Sequence, residues 1–398
     1  MTAELTELDR ATATRRSPMA RTRAPASVSI SATRRVVEIG VRVSIAVAVW
    51  ALLGKVFWGD VVHFASVTKD VGLQHLPYRD FLWEFPPLSL APVLAAHSTG
   101  PGFPVVFTAT MIGLEYGSLE ILRRALPERA AVVARWWHLA VLPLAAFAWF
   151  RLDFLAVVFA TAGIVAIVGS RPAARWAVLG FAVKLWPAVL IVGLFVRHRL
   201  RSAWLATGAS AAVVAGWWLW APDGLGSFLA YRKGGGLQVE SVLGALKLLE
   251  GAHPIVVSGA WVVGDGGWGW VDPVGLAVVA AAAALLCLWG QRRPLDPVRV
   301  CGFLTLLMLI ASRILSPQYL VWAAPFVVIV AARGDRRAGL LYAVSAWLTL
   351  AILAEYDSFL GGSVALALVA VARNLLLVAL AAVMISGAGD SDRAVSLP

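Results

Sequence analysis

Apolar stretches of roughly bilayer-crossing length recur along the chain, separated by short polar segments dense in arginine. About 11 stand out, near 38–57, 103–122, 136–150, 154–169, 176–196, 203–220, 273–290, 299–314, 318–332, 338–354 and 363–386. About 20 apolar residues in a helix cover a hydrocarbon core of ~30 Å, and some of these stretches fall short of that. None alternates with period 2, and unpaired backbone amides are not tolerated in lipid. Helices rather than barrel strands are therefore expected.

With 60% hydrophobic and only 14% charged residues over 398 positions, a soluble globular protein is excluded. The pattern predicts an all-α polytopic membrane protein of about 10–12 transmembrane helices. A formal charge of +11 would point to nucleic acid in a soluble chain, but here the bases fill short loops between apolar stretches. This is the positive-inside pattern, and no nucleic-acid partner is expected. Arg34 and Arg35 and the clusters 123–135, 171–175, 197–201, 292–299 and 333–337 mark the cytoplasmic side. By alternation, loops 58–102, 221–272, 313–318 and 355–362 face outward. Residues 1–35 read as a disordered cytoplasmic tail without a cleavage site, 36–387 as one membrane domain opening with a signal anchor, and 388–398 as a second short cytoplasmic tail.

One stretch breaks the alternation. Arg175 and Arg197–Arg201 both look cytoplasmic, although only about 21 apolar residues separate them. Two half-helices meeting near Lys184–Pro187 resolve the conflict, because proline disrupts helix-interior hydrogen bonding.

Cys287 and Cys301 lie in or beside predicted spans near the cytoplasmic side, so no structural disulfide is expected. No HExxH, CxxC or closely spaced His/Cys set appears, and no metal is expected. Asp60 and His63 share a helical face, but two ligands do not complete a metal site, and a hydrogen-bonded pair is the simpler reading. The glycine runs 234–236 and 264–270 match neither a phosphate loop nor a dinucleotide fingerprint, and read as flexible outer loops.

Polar chemistry gathers on the outward side. Asp60 follows the first span directly and is either an interfacial acid among headgroups or a functional group. In PYRDFLWEFPPL (Pro77–Leu88), Asp80 and Glu84 are spaced to share one helical face beside Arg79. An amphipathic segment on the membrane surface would show the same pattern. Arg151 and Asp153, in FRLDF, are close enough to pair with each other. The segment YRKGGGLQVES brings Arg232 with Lys233, Gln238 and Glu240 onto a glycine-flexed loop able to close over an anion, or simply solvated. SRILSPQYLVW carries Arg313, Gln318 and Tyr319. Lys184 and Arg373 are cations at membrane depth; Arg373 needs a wet cavity or a partner such as Glu355 or Asp357. Together these suggest a site for a phosphate-bearing lipid beside a general base.

PYRDFLWEFPPL, FRLDF, VKLWP, GLQVES and LSPQYLVW, in this order among these spans, resemble the polyprenol-phosphate-sugar-dependent glycosyltransferases of the GT-C superfamily. They are most similar to glycosyltransferase family 87, typified by phosphatidylinositol mannoside mannosyltransferases. The resemblance covers residues 38–386, with Trp186 and Phe85 standing where that family often has tyrosine. It implies a GT-C-like bundle with a functional first outer loop, in the cell membrane with its active site outside. The implied activity is inverting transfer of a hexose, most often mannose, from a polyprenyl-phosphate-sugar donor to a glycolipid or cell-envelope glycan; polyprenyl-phosphate arabinose is the alternative donor. Asp60 matches the family's catalytic aspartate. Arg79, Asp80, Glu84, Lys184, Arg232, Arg313, Gln318 and Tyr319 are the candidate substrate ligands, and no cofactor is needed because no nucleotide diphosphate leaves. A lipid or solute transporter would also be polytopic with intramembrane cations, but such proteins often show two repeated halves, which this sequence lacks. A catalytically silent scaffold would not need acids and cations grouped on one side.

Overall fold

The computed structural model describes residues 32–57, 59–69, 71, 75–230, 235–257, 259–264 and 266–389. Helix dominates, as the absence of period-2 alternation requires. Among the described residues, five helices are long and apolar enough to cross a membrane: Gly100–Ala125, Pro127–Ala148, Gly266–Arg292, Arg336–Ala354 and Val364–Ser386. Six shorter apolar helices accompany them, among them Asp153–Val168, Pro297–Ala311 and Pro317–Ala332. As some apolar stretches fall short of bilayer length, so several of the helices are short, divided at prolines and polar residues. The break at Lys184 is present: Ala174–Val183 ends in an extended Lys184, and Val189–Val196 resumes after a 3-10 turn at Trp186–Ala188.

The apolar exterior fits a lipid-facing bundle, with Leu276 and Leu285 on the Gly266–Arg292 helix 70% and 65% exposed. Inside, small residues allow close approach. A Cβ on Gly302 would lie 2.9 Å from that of Phe326, and one on Gly339 2.8 Å from the Trp136 ring. The opening helix, Ala32–Phe57, is fixed by charge rather than by shape. Arg42 donates to both carboxylate oxygens of Glu115, through Nη2 at 2.8 Å, and Trp137 Nε1 donates to the same acid at 2.5 Å. Arg123 donates from both terminal nitrogens to Glu38 at 2.7 Å.

A small α+β module interrupts the helices. Strands β1 (Leu237–Gln238), β2 (Ile255–Val257) and β3 (Ala260–Val263) form an antiparallel sheet in the order β1-β3-β2. Helix Val242–Leu249, capped by Ser241, packs beside them, and Leu237, Val239 and Val263 form a second apolar core with Ile352, Phe359 and Ala370. This sheet is not foreshadowed by the pattern of residues, because its strands are too short to display alternation.

Several expectations need correction. Asp80 and Glu84 do not share a helical face, because residues 76–86 form a turn rather than a helix. Tyr78 adopts φ 69°, Pro86 and Pro87 exclude helix beyond, and the Tyr78 hydroxyl donates to the Phe85 carbonyl at 2.5 Å. The turn docks on Gly224, where a Cβ would lie 2.4 Å from the Tyr78 carbonyl oxygen. Arg151 and Asp153 do not pair with each other but with Asp60 and Lys184. Arg373 turns not to Glu355 or Asp357 but to the Glu240 carbonyl at 2.5 Å and the Thr349 hydroxyl at 3.5 Å. Most of both expected tails, 1–31 and 390–398, lies outside the described residues. Helix begins at Ala32 within the first, and Ala388 of the second is buried, its carbonyl accepting from the Asp296 amide at 2.9 Å.

Glu115→Ala strands the Arg42 guanidinium among packed helices. Thermal or denaturant unfolding of detergent-solubilised protein is expected to show a loss of about 3–5 kcal/mol, the usual cost of breaking a buried pair from one side.

Candidate functional site

A cavity of about 650 Å³ opens where the Pro297–Ala311 helix ends, between the 76–86 turn, the Lys184 break and the small sheet. Six of the nine residues singled out from the sequence line it: Asp60, Glu84, Lys184, Arg313, Gln318 and Tyr319. Arg79 and Asp80 do not. Arg79 lies over the Trp220 ring at 5.6 Å, and Asp80 is exposed and accepts from the Leu76 amide at 2.6 Å, so both shape the turn that presents Glu84. Arg232 lies outside the described residues.

Each wall has a local cause. Asp60 and His63 are one helical turn apart on Gly59–Val67, which places both toward the cavity. Asp153 opens the Asp153–Val168 helix, where a carboxylate complements the N-terminal dipole. Lys184 enters because the helix ends there, and Arg313, Gln318 and Tyr319 enter because Ser312–Ser316 is irregular and Pro317–Ala323 is a 3-10 segment rather than an α-helix.

The charges interlock. Asp60 accepts from Arg151 Nε at 2.5 Å and keeps a side chain 41% exposed. Asp153 Oδ1 accepts from Lys184 Nζ at 2.6 Å and from Trp322 Nε1 at 2.5 Å. The Lys184 ammonium also lies 5.0–5.3 Å from the ring centres of Tyr319, Trp322 and Phe85, an aromatic collar that favours a cation where water is scarce. Arg313 Nε donates to Asp272 at 2.6 Å and its Nη1 to the Gly235 carbonyl. Since a guanidinium carries five N–H donors and an ammonium three, both cations retain hydrogen-bonding capacity for a ligand. Gln318 Oε1 is buried with no partner.

Sequence reasoning overlooked four contributors. Arg151 and Asp153 were read as partners of one another. His63, noted only as a weak metal candidate, stands 3.5 Å from Glu84, and that hydrogen bond raises its pKa. Glu240, seen only as one polar residue of a loop, is a buried acid. Its Oε1 accepts from the Tyr356 hydroxyl at 2.8 Å, its Oε2 is sealed and unpartnered, and burial pushes its pKa from near 4.5 to about 7. Nothing in the local sequence marks that depth; only the fold reveals it.

These groups can bind an anion, hold a polar ligand against aromatic faces and accept a proton from a hydroxyl. Comparison of the chain with protein-family models, curated proteins and solved structures gives no match to any of them.

The raised pKa of Glu240 has a signed consequence. Between about pH 4.5 and 7 the folded state binds a proton that the unfolded state releases, so the contribution of Glu240 is full below that window and lost as pH rises through it. Melting temperature should fall across the window in wild type, and Glu240→Gln should flatten that fall.

Proposed function

We propose that the chain is an integral membrane glycosyltransferase that moves a hexose, most often mannose, from a polyprenyl-phosphate donor to a hydroxyl of a glycolipid or cell-envelope glycan. In this reading it is a multi-pass protein of the cell membrane with its cavity on the outer face. The observation that carries the reading is an accessible carboxylate, Asp60, oriented by Arg151 at a cavity that also holds Lys184 and Arg313. The motif resemblance supplies the donor class, and the paired charges supply its chemistry.

The acceptor hydroxyl attacks the anomeric carbon as the bond from that carbon to the phosphate oxygen breaks, and the configuration inverts. Asp60 takes the hydroxyl proton, with Arg151 holding the carboxylate in one orientation. The departing polyprenyl phosphate gains charge, which the remaining N–H donors of Lys184 and Arg313 are placed to stabilise without reorganising. Tyr319 and Trp322, stacked with ring centres 4.4 Å apart, offer an aromatic face for a sugar. Glu84, bonded to His63, is the second acid of the cavity and an acceptor-binding group here.

Membranes or nanodiscs containing the protein, a labelled polyprenyl-phosphate mannose and a lipid extract should yield a labelled glycolipid. Asp60→Asn should reduce turnover by about 10²–10⁴-fold while the protein stays folded in the membrane, with a cooperative melting transition retained. Turnover retained by that variant would move the base to Glu84. Silence from both mannosyl and arabinosyl donors would defeat the glycosyltransferase reading and favour transport.

A further inference from the structure

A second cavity, of about 750 Å³, lies at the other end of the same helix. Asp296 caps the start of Pro297–Ala311 and lines this cavity, while Arg313 just beyond that helix's end lines the first. Fifteen residues at 1.5 Å each separate them by about 22 Å. The two sites are therefore distinct, and this inference does not depend on the glycosyltransferase reading.

Four arginines and two aspartates surround the second cavity. Both acids are already committed. Asp296 accepts from the Val298 amide at 3.0 Å and from Arg333 Nη1 at 3.0 Å. Asp335 accepts from the Ala338 amide at 3.3 Å and from Arg299 Nη2 at 2.7 Å. Arg336 and Arg337 are exposed and enter no ion pair among the described residues.

The decisive atoms belong to Arg333. Its side chain is only 8% exposed, yet Nε and Nη2 are buried without any hydrogen-bond partner. Buried polar groups are nearly always satisfied, and a buried guanidinium without a partner on two of its nitrogens, beside a cavity, lacks its acceptor. Two features hold the arginines there. Gly334 turns the chain at φ +117°, bringing Arg333 and the Arg336–Arg337 pair to one rim. Gly387 makes room for Arg299, whose Nη1 would otherwise lie 2.5 Å from a Cβ.

From this geometry we infer that the second cavity binds a phosphate group, met first by the unpaired charges of Arg336 and Arg337 and backed by the buried, unpartnered guanidinium of Arg333. A phosphate presents tetrahedral oxygens and up to two charges, matching planar forks that approach from different directions. Val330 and Val383 add an apolar wall on which the carbon of a phospholipid headgroup would rest; a free phosphate would use the arginines alone.

The test uses the full chain. In phosphatidylcholine nanodiscs, thermal unfolding is followed with inorganic phosphate against chloride of equal ionic strength. In parallel, native mass spectrometry measures retention of phosphatidylglycerol against phosphatidylcholine. Stabilisation by phosphate beyond chloride identifies a soluble ligand, and selective retention of phosphatidylglycerol identifies a headgroup; either supports the site. The double variant Arg336→Gln, Arg337→Gln should weaken the positive probe by about tenfold or more. Arg333→Gln should do the same, and the double variant keeps the test decisive if loss of the Asp296 pair prevents folding. Absence of both signals, or a double variant that binds like wild type, overturns the inference.

Discussion

A charge inside a packed helical bundle must meet a counter-charge or polar partners, and that requirement recurs from end to end of this molecule. Arg42 and Glu38 of the opening helix, paired with Glu115 and Arg123 of the helix Phe103–Ala125, tie it to the bundle. The same rule sets Arg151 on Asp60 and Lys184 on Asp153 at the first cavity, and Arg333 on Asp296 at the second. Removing either member of such a pair costs more than the pair itself contributes, because the survivor is left unsolvated. Ionic pairs therefore fix which helix meets which, and apolar packing fills the space between them.

The helical class was legible because apolar stretches without period-2 alternation leave few other options. The Lys184–Pro187 break was legible from the clash between arginine placement and segment length. What escaped the sequence was pairing. Arg151 and Asp153 are near neighbours in the chain, and proximity suggested that they bond. Yet Asp153 begins a helix whose first turn faces the Lys184 break, while Arg151 precedes that helix and reaches back to Asp60. A spacing of four between Asp80 and Glu84 likewise means something only on a helix, and the strain at Tyr78 with Pro86 removes the helix.

The small sheet was illegible for a different reason. Its strands hold two to four residues and gain their order from the helices beneath. Arg373, fully buried, donates to the Glu240 carbonyl, and Asn374 reaches the same oxygen at 3.4 Å. A guanidinium read as a membrane-depth anomaly is thus the peg that fastens this module over the cavity. The glycine run before β1 is also structural: a Cβ on Gly236 would lie 2.4 Å from the Val263 carbonyl oxygen, and Gly235 supplies a carbonyl to Arg313.

The carboxylates around the first cavity are separated by environment into different roles. Glu240 has a pKa near neutrality, the value usually associated with a proton carrier, but its free oxygen is closed off and no hydroxyl substrate can reach it. Asp153 is locked between an ammonium and an indole. Glu84 is bonded to His63. Asp60 alone of the four combines wide exposure with a fixed orientation, since Arg151 holds one oxygen while the carboxylate stays 41% exposed at the cavity. Access decides before basicity does, because a proton moves only across a hydrogen bond that can form. By that criterion, the first acid after the opening helix is the best placed to act on a substrate.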